Sequence, residues 1–190
     1  MNIRQKLLLV VAALMLLPLY YIPFWSISMT APQYPEGIGM YIHINDVRGH
    51  NQHDIQSINT LNHYIGMKEI HVDEIPELKI MPYIFAFMIG SLILIALIGN
   101  QKLLLGWLIL FVILSIAGIV DYYLWGYDYG HNLDPDAPIK VPGMSYQPPL
   151  IGTKQLLNIR ASSYPTWGSA LMVGSFMLSA LVYYKNKKNS

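Results

Sequence analysis

The sequence predicts a membrane all-α fold class, with four transmembrane helices and two long extracytoplasmic loops forming a small α+β cap. Of its 190 residues, 54% are hydrophobic and only 12% are charged, and the mean hydropathy is +0.37. The apolar residues collect in four runs, each close to the ~20 residues that a helix needs to cross a ~30 Å hydrocarbon core. These runs are Leu7–Trp25, Ile80–Ile98, Leu103–Leu124 and about Trp167–Tyr184.

Each run should be a helix, because backbone polar groups in lipid must be satisfied within the segment. The second and third runs are separated only by Gly99–Lys102, so they should form an antiparallel hairpin. The other two connections are about 54 and about 42 residues long. The predicted organisation is a first transmembrane helix (1–25), a first outer loop with a short strand and an amphipathic helix (26–79), the helical hairpin (80–124), a Pro/Gly-rich second outer loop (125–166), and a fourth helix with a basic tail (167–190).

Charges beside the helix ends predict the orientation. Lys and Arg are dense near the termini and the hairpin turn, where there is no acid, while all six histidines and all eleven acids lie on the long-loop side. We therefore expect a bacterial inner (cytoplasmic) membrane protein with cytoplasmic termini and periplasmic loops. The first run could instead be a cleaved signal peptide after Arg4 and Lys6, but no small-x-small cleavage site follows it, so an uncleaved anchor is favoured.

Composition excludes several kinds of chemistry. The chain has no cysteine, so a metal site must use His, Met, Asp or Glu. Dinucleotide, phosphate-loop and hydrolase motifs are missing, and the apolar runs contain no histidine, so neither a nucleotide nor haem is expected. The net charge of +1 gives no reason to expect nucleic-acid binding. We expect no enzyme, and the lipid bilayer is one expected partner.

The first outer loop has a predicted strand and helix. Prolines and a glycine in Ala31–Gly37 suggest a stiff, irregular exit from the membrane, and Met40–Ile44 alternates like a strand. From Asp54, apolar residues recur every three or four positions, which predicts a helix capped by Asp54 and ended by Gly66. His63 and Met67 would share one face if the helix continued past Gly66; the plainer interpretation is a solvated polar face with an incidental methionine.

The second outer loop should be long, rigid and irregular. Five prolines and several glycines between Asp128 and Gly152 argue against regular helix or strand, yet many residues there are apolar or aromatic. Such a loop is typical of a binding surface, or of a lid over the helix ends. Tyrosines and tryptophan in Asp121–Tyr127 mark the outer membrane interface. Asp121 could be functional or could simply reach water.

A metal site could combine both loops. Imidazole and thioether groups together suit Cu(I) far better than magnesium or calcium. The predicted ligands are His63, Met67, His131 and Met144, with Asp128 or His71 as an outer contributor. The methionines that lie neither in nor beside the membrane runs are Met29, Met40, Met67 and Met144.

Four segments carry a resemblance to a known family. APQYPEG (31–37) with LNHYIGM (61–67), and GHNLDP (130–135) with PPLIG (148–152), resemble small multi-pass bacterial membrane proteins. That family is found beside the genes for nitrous-oxide reductase and its copper-maturation factors, especially in Bacteroidetes-like bacteria. The similarity covers both outer loops and the four-helix plan. It implies a copper-related or electron-supply accessory role in the envelope, and it includes His63, Met67 and His131.

The leading hypothesis is therefore a membrane-bound copper chaperone or accessory protein that binds or hands on Cu(I) to an exported cuproenzyme such as nitrous-oxide reductase in denitrification. A protein partner on the extracytoplasmic side would follow. The alternative is a non-catalytic structural or docking subunit of a respiratory membrane complex, anchored by aromatics such as Tyr34, Trp125 and Tyr146. A transporter would need polar residues around a shared cavity between the helices, and the sequence gives little sign of them.

Overall fold

The computed structural model describes residues 1–188. In chain order its helices and strands are α1 (Ile3–Leu14), β1 (Trp25–Ala31), β2 (Tyr34–Ile42), β3 (Val47–Gly49), α2 (Asp54–Ile65), α3 (Pro76–Ile98), α4 (Gln101–His131), β4 (Gly152–Leu156), β5 (Ile159–Pro165) and α5 (Trp167–Lys188). Four helical segments are long and apolar enough to cross a membrane, which confirms that part of the prediction. They are Ile3–Tyr20, Pro76–Ile98, Gln101–His131 and Trp167–Lys188.

The four long helices form a bundle. Both α1 and α4 pack against α3 and α5. Small residues allow close approach, and the Ser175 hydroxyl donates to the Ala12 carbonyl at 2.7 Å, as expected for helix packing in lipid. The short turn predicted between α3 and α4 is confirmed: Gly99 ends α3 in the left-handed conformation, and Asn100 caps α4 by accepting from the Lys102 amide.

The first span is shorter than the apolar run that predicted it. α1 ends at Leu14, a 3₁₀ turn follows at Leu17–Tyr20, and Trp25 already begins β1. Pro18 lies in the first turn of that 3₁₀ helix. Because proline lacks a backbone donor and clashes with the preceding turn, the α-helix cannot continue through it. The chain therefore passes almost directly from the membrane helix into the sheet.

Both outer loops contribute to one antiparallel sheet, which is larger than the single strand that was predicted. The strand order is β3-β2-β1-β5-β4. β1 is central: Trp25 pairs with Ile42 of β2 on one side and with Pro165 of β5 on the other. The expected irregular exit at Ala31–Gly37 is wrong, because most of this segment belongs to the β1–β2 hairpin. The cap is α+β, as predicted, and β5 leads directly into α5.

The helix of the first outer loop is confirmed, with two corrections. α2 begins at Asp54 and ends at Gly66, whose φ of +80° is the left-handed C-cap that the sequence predicted. However, Asp54 does not cap the helix; its buried carboxylate accepts from the backbone amide of Gly39 at 3.0 Å. The helix also stops before Met67, so His63 and Met67 do not share a helical face.

α4 connects the membrane to the cap. It was predicted to end near Leu124 but continues to His131, and 31 residues at ~1.5 Å each exceed a ~30 Å hydrocarbon core. Its last turns carry Trp125 and Tyr129, which pack against the core of the cap. Residues 132–151 form turns and irregular structure, as their prolines predicted.

Candidate functional site

The two predicted histidine ligands lie on the surface. His63 is exposed on α2 and makes an edge contact with the neighbouring ring of Tyr64, with centroids 6.1 Å apart. His131 is exposed at the end of α4 and stacks on Tyr127 at 4.0 Å. Its Nδ1 also lies 3.0 Å from the Tyr127 carbonyl, so this nitrogen is the donor and Nε2 faces outward as a potential ligand.

The two predicted methionine ligands are brought together although they come from different loops. Met67 and Met144 are half-buried, and both pack against one buried group, the loop-interface cluster. This cluster consists of Ile65, Tyr146, Leu156 and Ala161. Of the four predicted ligands, the structure therefore joins the thioethers around one apolar cluster and leaves the imidazoles outside it.

Backbone hydrogen bonds hold the two outer loops against each other. The Asp134 amide donates to the Gly66 carbonyl at 2.8 Å, and the Ile139 amide donates to the Tyr64 carbonyl at 2.9 Å. Within the second loop, the Tyr146 amide donates to the Gly130 carbonyl at 2.9 Å. The region after α2 thus docks onto the second loop. His63 precedes Tyr64 of this contact, and His131 follows Gly130 of the bond within the second loop.

Each proposed outer contributor already has a side-chain partner. Asp128 lies 2.6 Å from the Lys68 ammonium, which links α4 to the first loop, and it also accepts from Asn132. This partner raises the pKa of Lys68 above its usual value. His71 lies 3.3 Å from the Glu69 carboxylate. Among residues 1–188, no three His, Asp or Glu side chains gather in a way that could hold a metal ion.

An apolar cavity of about 50 Å³ lies between the sheet, α2 and the last turns of α4. Three methionines line it, Met29 and Met40 from the sheet and Met67 from the segment after α2. The phenol oxygen of Tyr146, also in its wall, is buried and has no hydrogen-bond partner among the described residues. We call this space the methionine cavity.

The sequence did not assign Met29 and Met40 to any site. They lie on one face of the sheet, because Met29 pairs with Ile38 and Met40 pairs with Ile27. The alternation of side chains along a strand would have placed them there, had β1 been recognised as a strand. Only Trp25 of β1 fell within the predicted first span, and residues 26–30 were assigned to no element.

Half-buried His50 packs against β1 and β2, and Asp54 ties α2 to β2. The ring of His50 lies over Gly39, contacts the Tyr41 ring at a centroid distance of 4.1 Å with the ring planes tilted, and has its Nε2 3.0 Å from the Ser26 hydroxyl. Burial lowers the pKa of His50 below 6.5, and nearby Asp54 opposes this shift. Because the Asp54 carboxylate bonds to the Gly39 amide, these residues form a structural lock.

The three aromatic anchors of the docking hypothesis lie inside the cap. Tyr146 is only 3% exposed, and Tyr34 and Trp125 pack as half-buried side chains against the cap core. Their rings therefore stabilise the cap itself.

The chain matches no protein-family model, and no curated protein gives a significant match to it. The resemblance to membrane proteins found beside nitrous-oxide reductase genes stays a prediction. The chemistry of the residues described above is therefore what points to a function.

Proposed function

We propose that this protein is a non-enzymatic accessory protein of a bacterial inner membrane that binds Cu(I) on its periplasmic side. It would hand the ion to an exported cuproenzyme such as nitrous-oxide reductase. One observation carries the proposal: Met67 and Met144 come from separate outer loops yet pack against the same loop-interface cluster. Two exposed imidazoles complete the proposed outer site: His63, beside the contact between the loops, and His131, at the end of α4.

The donor chemistry supports transfer of the ion. Thioether and imidazole are soft and borderline donors that suit Cu(I), and the chain contains no cysteine thiolate that would hold the ion more tightly. The exposed imidazoles would meet an incoming ligand of the partner protein first. The half-buried thioethers would keep the ion against an apolar surface.

The test is a Cu(I) titration of the detergent-solubilised protein against a competing chelator under reducing conditions. We expect the wild type to bind, and His63→Ala with His131→Ala to weaken binding by about 10- to 100-fold, the range seen when a metal site loses supporting groups. His53→Ala is the matched control, because His53 is exposed and bonds only locally to Gln56. Equal affinities for the double variant and the wild type would refute the outer site.

A further inference from the structure

All four methionines of the two outer loops meet in one region of the cap. Met29, Met40 and Met67 line the methionine cavity, and Met144 packs against the loop-interface cluster, which shares Tyr146 and Ala161 with the cavity wall. Methionine often fills irregular gaps in a core. Here, however, the core also leaves an open space beside the sulfur-bearing side chains.

The sheet places two of these thioethers within reach of each other. Met29 pairs with Ile38, two residues from Met40, so Met29 and Met40 are diagonal neighbours on adjacent strands. Diagonal positions are about 7–8 Å apart, a distance that long side chains can bridge. Met67 belongs to the segment after α2, which faces the sheet across the cavity. Three thioethers can therefore approach one point from two walls.

The size and lining of the cavity select its occupant. A volume of about 50 Å³ is well below the ~150 Å³ that holds benzene, so the space is too small to enclose a quinone ring or a lipid chain. Water needs two to four polar partners. Apart from the unpartnered Tyr146 hydroxyl, the polar side chains in the wall are few, and the Asn62 amide group already donates to the Lys68 carbonyl.

The remaining lining suits a soft monovalent cation. The rings of Trp125, Tyr129 and Tyr146 stand in the wall. Aromatic faces attract a cation, most strongly when it is removed from water, and tryptophan is the strongest of them. A single positive charge could thus be held without a carboxylate, by neutral sulfur ligands and aromatic rings.

We infer that the methionine cavity is a second, internal Cu(I) site, in which Met29, Met40 and Met67 supply the sulfur ligands and Trp125 supplies an aromatic face. This inference rests on the proposed copper function and deepens it. Met67 belongs to both sites, so a Cu(I) ion could exchange between them by replacing ligands one at a time. No electron transfer is needed, since the ion remains Cu(I).

The experiment uses the full-length protein in detergent, with Cu(I) alone as the probe. Met29→Leu with Met40→Leu keeps all four proposed ligands of the outer site, and Leu preserves the volume of Met where Met29 packs against the loop-interface cluster. We expect this variant to lose about 10- to 100-fold in affinity for Cu(I). Met88→Leu is the matched control, because Met88 is as buried as Met40 but lies in the membrane bundle.

X-ray absorption of the copper-loaded wild type provides a measurement that needs no variant. A first shell dominated by sulfur is expected, and a shell of nitrogen or oxygen alone would overturn the internal site. Unchanged affinity in the Met29/Met40 variant would also overturn it, while leaving the proposed function standing. Failure of the wild type to bind Cu(I) at all would overturn both.

Discussion

Gly66→Ala tests whether the two outer loops are docked as described. Gly66 has a φ of +80°, and a Cβ at this position would lie 2.9 Å from the Ala137 Cβ and 3.0 Å from the backbone of Asp134. The substitution therefore combines backbone strain with a steric clash across the loop contact. Gly143→Ala separates the two effects, because Gly143 has a φ of +73° with no atom within 4 Å of the added Cβ.

The expected magnitudes follow from these two terms. A residue with a Cβ in the left-handed backbone conformation lowers the free energy of unfolding by ~1–2 kcal/mol. This loss should occur in both variants. Overpacking of a filled contact lowers the free energy of unfolding by a further ~1–3 kcal/mol. This second loss should occur in Gly66→Ala alone. The difference between the two variants therefore isolates the packing of the region after α2 against residues 134–137.

Protease susceptibility of the cap across a urea series, measured in detergent, compares the two variants. The urea midpoint should fall further for Gly66→Ala than for Gly143→Ala. Because Met67 follows Gly66 directly, the first variant should also bind Cu(I) more weakly. Equal urea midpoints would refute the docking of the two loops at this point.

Two further predictions concern pH and orientation. Burial lowers the pKa of His50 from 6.5, so cap stability should be full above that pH and fall as the pH drops below it. In a pH series, His50→Gln should weaken the dependence of the urea midpoint on pH. Part of that dependence should remain, since burial lowers the pKa of His43 too. Because the chain has no cysteine, Lys140→Cys and Lys187→Cys each carry one thiol. An impermeant thiol reagent applied outside the inner membrane should label Lys140→Cys alone. Labelling of Lys187→Cys alone would show the opposite orientation and refute the proposed topology.

The helices were predictable because their signals are local. A membrane span is fixed by a run of about 20 apolar residues, and α2 by a period that Gly66 ends. The position of Asp54 was predicted correctly but its role was not. Whether its carboxylate caps the helix or bonds to the Gly39 amide depends on a strand 15 residues earlier in the chain.

The sheet was harder to predict because its pairing is not local. β1 pairs with β5 through partners such as Trp25 and Pro165, which are separated by most of the chain. β1 also begins at Trp25, the last residue of the predicted membrane run, so the start of the strand was assigned to the first span. In Gly152–Leu156 and Ile159–Pro165, β-branched and aromatic residues are sparse, so neither strand has a strong local signal.

The same limit explains the change in the candidate site. The sequence linked His63 to Met67 as neighbours on one helix, but Gly66 ends that helix and separates them. His63 remains on the surface, while Met67 turns inward toward the thioethers of Met29 and Met40. A helical pair would have held an ion at the surface with both side chains. The observed break instead places Met67 in the wall of the methionine cavity with Met29 and Met40, and under our proposal Met67 is the ligand through which Cu(I) would pass between the two sites.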